Sequence, residues 1–238
     1  MLEKSHFSPN FNRKSRKKSS IKAIVIHYTG MRSQNEAISR LCSPKSKVSS
    51  HFLIGQHGKV YKLVDENKVA WHAGTSCWGR FKNLNKNSIG IELVNRGHQF
   101  GYTNFKKKQI NKLIQICKKL IQKYKIKKQN IIGHSDISPS RKIDPGEKFP
   151  WRKLAINKIG NWHNFNQNLL KKSRRVKASK NEKIKFANNL RKIGYCFNGE
   201  KNYKNTVKAF QRHFRKELVD GREDEECLII AKNLSKKV

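Results

Sequence analysis

Acidic residues are scarce in this chain. Sixteen Asp and Glu face 54 Lys and Arg, a formal charge of +38 over 238 residues. An excess of that size points to an anionic partner: nucleic acid, an anionic membrane or an anionic polymer. The basic residues are spread along the whole chain among Asn and Ile, however, and a lysine-rich composition accounts for them equally well. Long apolar runs are missing. No segment reaches the roughly 18 apolar residues of a membrane span, so no transmembrane helix is expected. Residues 1–20 hold Arg13, Lys14, Arg16, Lys17 and Lys18 but no apolar stretch, and a standard signal peptide is not expected. No Cys precedes Cys42, so an acylation site of the lipoprotein kind is not expected near the start. The five cysteines (Cys42, Cys77, Cys117, Cys196 and Cys227) are odd in number and lack C-x-x-C spacing. That argues against a disulfide framework or a cysteine zinc site, and free thiols suit a reducing compartment.

What is present organises into one medium domain and one small one. Residues 1–20 are basic and Ser-rich and read as a flexible arm. Ile21–Tyr28, Val48–Ile54 and Ser88–Val94 are β-branched runs that read as strands. Gln56-His57-Gly58 is a hairpin signal, with Lys59–Val64 as the return strand. Glu36–Cys42 reads as a short helix. Phe105–Lys125 places Ile110, Leu113, Ile114, Cys117, Leu120, Ile121 and Tyr124 on one helical face. Asn130–His134 follows as a strand. Strands interleaved with helices imply an α/β (α+β) fold, a mixed central β-sheet flanked by helices. The domain is expected over 21–168. Lys171–Lys180 carries six basic residues in ten and no acid, and 169–180 reads as a solvated linker. Three helices are expected in 181–238: Ile184–Ile193 ending at Gly194, Thr206–Phe214, and Glu223–Leu234.

The chemistry concentrates in Gly133-His134-Ser135-Asp136 and its continuation to Pro145-Gly146. The prolines force tight turning, so His134 and Asp144 can face each other across a loop mouth with Lys142 between them. Two such ligands need a third for a catalytic metal site. His27, at the exit of the strand Ile21–Tyr28, is a candidate; a core His bonded to backbone is the alternative. Along Ser88–Val94 the period is two, and Glu92 falls mid-strand on the face opposite Ile89, Ile91 and Leu93. A carboxylate there is costly unless paired or functional. It is either a salt bridge or a general base beside a metal.

Five separated pieces bear on this: Val25-Ile26-His27-Tyr28-Thr29, Val48-Ser49-Ser50-His51-Phe52-Leu53-Ile54, Ala70-Trp71-His72-Ala73-Gly74, Asn87-Ser88-Ile89-Gly90-Ile91-Glu92-Leu93, and Gly133 through Trp151. In type and order they resemble the zinc-dependent N-acetylmuramoyl-L-alanine amidases of the AmpD/AmiD type (amidase_2 family), over about residues 21–162. The resemblance implies one zinc per chain, held by His27, His134 and Asp144, with Glu92 as proton shuttle and Lys142 as oxyanion donor. It implies hydrolysis of the amide bond between N-acetylmuramoyl residues, 1,6-anhydro forms among them, and L-alanine in peptidoglycan or muropeptides. His51 and His72 are read as supporting the ligands, touching substrate, or purely structural. In the long loop 65–87, Trp71 and Trp78 suit stacking on sugar faces, with a core role as the alternative. Arg80 or Arg96 suits a substrate carboxylate. Lys158-Ile159-Gly160-Asn161-Trp162 resembles the tail of the AmiD branch. Leu190–Tyr195 and Val207–Phe214 resemble a three-helix peptidoglycan-binding module, a structural cap being the alternative. AmiD-branch members are typically envelope lipoproteins, and the expected lack of an early acylated Cys departs from them; a wall-binding module, having no obvious use in the cytosol, argues for the envelope (periplasm or outside). The absence of an expected export signal and the thiols argue for the cytoplasm. A monomer without nucleic-acid or membrane-spanning parts is expected. A non-catalytic wall-recognition protein and a nucleic-acid binder are the other classes. The first would be expected to lack a ligand, and the second leaves His27, Glu92, Lys142 and Asp144 unexplained.

Overall fold

The computed structural model describes residues 7–238. In chain order the elements are β1 (Phe11–Asn12), β2 (Ala23–Tyr28), α1 (Gln34–Cys42), β3 (Phe52–Ile54), β4 (Val60–Lys62), β5 (Val69–Ala70), β6 (Cys77–Trp78), β7 (Phe81–Lys82) and β8 (Ser88–Leu93). Then come α2 (Lys107–Tyr124), β9 (Ile131–Gly133), α3 (His134–Ile137), α4 (Trp151–Ile156), α5 (Gln167–Leu170), α6 (Lys180–Ile193), α7 (Gly199–Phe214) and α8 (Glu225–Ser235). The central sheet has the order β4-β3-β8-β2-β9. Only the β3–β4 hairpin is antiparallel; β3, β8, β2 and β9 run parallel. This is the expected mixed sheet.

Alternation along β2 and β9 sorts side chains to two cores. Ile24, Ile26 and Ile131 join Ile89, Ile91 and Leu93 of β8 beneath the apolar stripe of α2. Ala23, Val25 and Ile132 point the other way, into a second core with Phe186 and Leu190 of α6, Val207 and Phe210 of α7 and Ile230 of α8. The three C-terminal helices therefore cover the second face of the sheet. They begin and end where the chain provides caps. Ser179 Oγ accepts from the Glu182 N–H while the Glu182 carboxylate accepts from the Ser179 N–H, a reciprocal start for α6. Asp224 caps α8 through the Cys227 N–H. Both α6 and α7 start earlier than the periodicity alone predicts; for α6 the Ser179–Glu182 cap rather than apolar spacing sets the first turn.

One carboxylate ties these helices to the loop after β9. Asp136 Oδ2 accepts from the Gly133 N–H at 2.7 Å and from His213 Nδ1 at 2.8 Å, and Asp136 Oδ1 accepts from the Tyr195 hydroxyl at 2.7 Å. The His213 ring stacks on Trp151, with centroids 3.8 Å apart.

Four expectations are corrected. The arm at 1–20 is anchored over its described part. Phe11–Asn12 pairs with Val69–Ala70, and the Arg16 guanidinium donates to the carbonyls of Glu66 (2.9 Å), Asn85 (3.0 Å) and Ser88 (2.7 Å). Residues 1–6 of that arm lie outside the described residues. The linker at 169–180 is not free in solvent: Leu170 is buried, and Arg174 forms a two-pronged pair with Glu226 at 2.6 and 2.9 Å. The cysteines do include a disulfide, Cys77–Cys196, whose Cα atoms are 5.9 Å apart; Cys42, Cys117 and Cys227 are free. The partners lie 119 residues apart, on β6 and just after α6, so spacing could not pair them. The strand expected over Val48–Ile54 is also shorter, since Ser49 bonds outward to Trp71 and only Phe52–Ile54 keeps the ladder.

Asp136→Ala leaves a hydroxyl, an imidazole and an amide buried without their acceptor. At about 1–3 kcal/mol for each orphaned group, urea unfolding should show a loss on the order of 3 kcal/mol. Tyr195→Phe should lose about 1 kcal/mol. A loss under about 1 kcal/mol for Asp136→Ala would mean that the carboxylate does not tie the layers together.

Candidate active site

Three neighbouring parallel strands end at the same level. In the register His27 of β2 sits beside Glu92 of β8, and Ile26 beside Gly133 of β9, which brings His134 next to His27. The C-terminal edge of a parallel sheet is where α/β folds place their sites. Asp144 returns to the same spot because its carbonyl accepts the Ser135 N–H at 2.8 Å, closing the loop between them.

His27 Nδ1 lies 2.9 Å from His134 Nδ1 and 3.1 Å from Asp144 Oδ2, and His134 Nδ1 lies 3.2 Å from the same oxygen. The tautomers follow from the outer bonds. Ser88 gives its hydroxyl proton to the Leu84 carbonyl at 2.5 Å, so it accepts from His72 Nε2–H at 3.3 Å. His72 Nδ1 is then an acceptor, and His27 Nε2–H donates to it at 3.1 Å. His134 Nε2 faces the Ala73 carbonyl at 3.2 Å and must carry its proton. Both inner nitrogens are therefore bare, and three acceptors converge with no proton among them. This donor set fits a cation and makes poor sense without one. The His72 ring that starts the relay lies flat against Gly90, where an added Cβ would come within 2.4 Å of it.

The electrostatics agree. Burial, then the neighbouring His134, lowers the His27 pKa to about 4, keeping it neutral and able to ligate. Burial alone would raise Asp144, but His134 and His27 outweigh it and hold its carboxyl well below the usual range. Glu92 is buried, and its Oε2 has no partner among the described residues. Burial and the nearby Asp144 charge push its pKa up to about 8, against an opposing pull from Lys142.

These groups line one cleft of about 250 Å³, which holds His27, His72, Glu92, His134, Lys142 and Asp144. The sequence missed Tyr28, Arg40 and Arg141, which also line it. Arg141 precedes Lys142 within the loop already singled out. Arg40 lies on α1, where nothing in the local pattern marks it. Four expected substrate contacts lie elsewhere. His51 accepts the Gly90 N–H on Nδ1 at 3.0 Å, and burial with Arg16 beside it drives its pKa to about 3; it fastens the sheet. Trp71 donates to Asn12 Oδ1 at 2.7 Å, part of the anchorage of β1. Arg80 is exposed, over the Phe81 ring, and Arg96 is exposed after β8; neither lines the cleft. Trp78 is a core residue, as its alternative reading held.

Two imidazoles and a carboxylate at a sheet edge, with a protonatable acid and an ammonium in the same cleft, are the groups a metal-assisted hydrolase would use. Comparison with known proteins narrows that class. Residues 17–147 match Amidase_2, N-acetylmuramoyl-L-alanine amidase. The chain is 36% identical over 233 residues to the N-acetylmuramoyl-L-alanine amidase AmiD of Escherichia coli K12, spanning 91% of this chain and 83% of that one. The E. coli AmiD structure in complex with anhydro-N-acetylmuramic acid-L-Ala-D-gamma-Glu-L-Lys superposes with a TM-score of 0.81 at 34% identity, covering 95% of this chain and 92% of the other. AmpDh3 of Pseudomonas aeruginosa superposes with a TM-score of 0.80 at 30% identity, covering 100% and 99%. The chain belongs to the N-acetylmuramoyl-L-alanine amidase family, on the AmiD side of it.

The raised Glu92 pKa has a stability consequence in metal-free protein. A carboxyl whose pKa rises from 4.5 unfolded to about 8 folded binds more protons when folded. Its contribution is therefore fully present below pH 4.5 and is lost as pH climbs to about 8. Melting temperatures of metal-free wild type and Glu92→Gln should diverge across that window, with wild type losing ground as pH rises. Parallel profiles would show that Glu92 ionises normally.

Proposed function

We propose that this amidase hydrolyses the bond between the lactyl group of N-acetylmuramic acid and L-alanine in peptidoglycan or soluble muropeptides, 1,6-anhydro forms included. One zinc would be held by His27, His134 and Asp144. The observation that carries this reading is the convergence of three proton-free acceptors beside Glu92. The family membership supports the bond cleaved, and the anhydro-muropeptide bound to E. coli AmiD supports the substrate class. Bound there, zinc would supply a polarised scissile carbonyl and a water acidified from a pKa near 16 to about 7.

The protein's own groups complete the chemistry. Glu92, its pKa raised to about 8, takes the proton of the attacking water and hands it to the departing amine. A neighbouring cation favours its ionised form and so readies it as the base. Lys142 presents an ammonium to the oxygen that gains charge, and Asp144 keeps its own charge throughout. His72 and the Ala73 carbonyl hold the two imidazoles in the tautomers that ligation needs.

His27→Ala should lose both zinc and activity. Glu92→Ala should keep zinc and melting temperature while kcat falls by roughly 10²–10⁴. Lys142→Ala should keep zinc and lose about 10²–10³, mostly in kcat. Elemental analysis, melting curves and turnover on a muropeptide read all three. Stoichiometric zinc in His27→Ala, or near-normal kcat in Glu92→Ala, would overturn the assignment.

We place the protein's action in the cell envelope, with the helical region 181–238 touching wall polymer as well as covering the sheet. The Cys77–Cys196 bond supports this, because structural disulfides persist in oxidising compartments. No helix among the described residues is long and apolar enough to cross a membrane. Cell fractionation should recover the protein with the sacculus-bearing envelope fraction. Recovery only with cytosolic markers would defeat the envelope reading in favour of a cytoplasmic one.

A further inference from the structure

The disulfide sits where it can act on the site. Cys77 lies on β6, four residues beyond Ala73, whose carbonyl fixes His134, and five beyond His72, which fixes His27. Cys196 directly follows Tyr195, one of the groups bonded to Asp136. The bond thus ties the loop that orients both imidazoles to the C-terminal helices. Noncovalent ties run alongside it: Gly79 N–H donates to the Gly194 carbonyl at 2.7 Å, and Ser138 Oγ–H to the Thr75 carbonyl at 2.9 Å.

Both cysteines are partly exposed and line a groove of about 650 Å³, together with Lys82, Asn83, Arg141 and Phe197. Its lining contains two cations and no acid, and Arg141 also lines the catalytic cleft, so the two spaces adjoin. The Lys82 ammonium lies 3.0 Å from Cys77 Sγ. The free cysteines are different. Cys117 and Cys227 are buried, and burial pushes each thiol up to about 12.

We propose that Cys77–Cys196 is a reducible staple on the active-site loop, opened by a small acidic thiol that enters this groove. A thiolate attacks Cys196 Sγ; the S–S bond breaks, and Cys77 leaves as a thiolate beside the Lys82 ammonium, which makes it the better leaving group. A second small thiolate then attacks the small-thiol sulfur of that mixed disulfide, the S–S bond to Cys196 breaks, and Cys196 leaves as a thiolate. Two small thiols are oxidised to one disulfide, and the protein bond is reduced to two thiols. Opening leaves His72 and Ala73 without their covalent tie to the helices. The reduced protein melts lower and gives up a bound metal faster.

The test uses the full-length chain. Air-purified protein, alkylated and analysed by mass spectrometry, should show Cys77 and Cys196 protected and linked. Reduced glutathione, which carries two carboxylates, should open the bond several-fold faster than 2-mercaptoethanol at equal thiolate, and Lys82→Gln should remove that advantage. Melting temperature should fall by about 5–10 °C on reduction. A Cys77→Ser/Cys196→Ser variant should melt like reduced wild type in either buffer. Zinc loss to a chelator should be several-fold faster from reduced protein. This last arm rests on the metal reading above, whereas labelling and melting do not, so failure of one is separable from failure of the other. Unlinked cysteines in air-purified protein, or equal melting of oxidised and reduced forms, would overturn the staple. Equal rates with the two thiols would overturn the acidic-thiol entry.

Discussion

Two imidazole nitrogens and a carboxylate oxygen face one another at about 3 Å, each presenting a lone pair and none a proton. Left alone they repel, and the surrounding chain exists in large part to keep them there. The Ser88–His72 relay removes one tautomer of His27, and the Ala73 carbonyl removes one of His134. The parallel register sets the strand exits level, and the Ser135–Asp144 bond brings the carboxylate back. Each contact is ordinary; together they hold an arrangement that only a cation makes favourable.

That arrangement draws on the whole molecule. The loop bearing His134 is held through Asp136 by His213 and Tyr195, which belong to the C-terminal helices. The same helices cover Val25 and Ile132. We infer that a boundary drawn at 168 or 180 divides the sequence more cleanly than it divides the structure: α6, α7 and α8 form the second layer of the sandwich whatever else they touch.

The three converging groups were legible because each stands at a strand exit or a proline-bound loop, where local spacing carries the signal: His27 before Gly30, His134 after Ile131-Ile132-Gly133, and Asp144 before Pro145. Glu92 was legible as an acid in an apolar period-two strand. The supporting partners were not. Whether His72 or His51 serves the cleft depends on which side of β8 each loop passes, and both sit beside Gly90, so spacing could not separate them. Trp71 looked like a sugar platform because an aromatic in a long loop gives no hint that Asn12 will claim its indole. The anchorage of 7–20 was hidden for the same reason: Arg16 is one basic residue among five until the carbonyls of Glu66, Asn85 and Ser88 are brought around it. The disulfide belongs to this group, being a product of tertiary proximity alone.

Gly90 shows how much of the site is shaped by missing atoms. It stands in β8 between Ile89 and Ile91, where a strand ordinarily gains from a branched side chain. Its bare face is the slot that the His72 ring fills, and the smallest possible side chain there would overlap the ring at 2.4 Å. A single methyl group, far along the chain from His27, His134 and Asp144, would displace His72, release the His27 tautomer, and let a proton settle between the acceptors. The geometry of the three acceptors is therefore bounded by a residue that is not one of them.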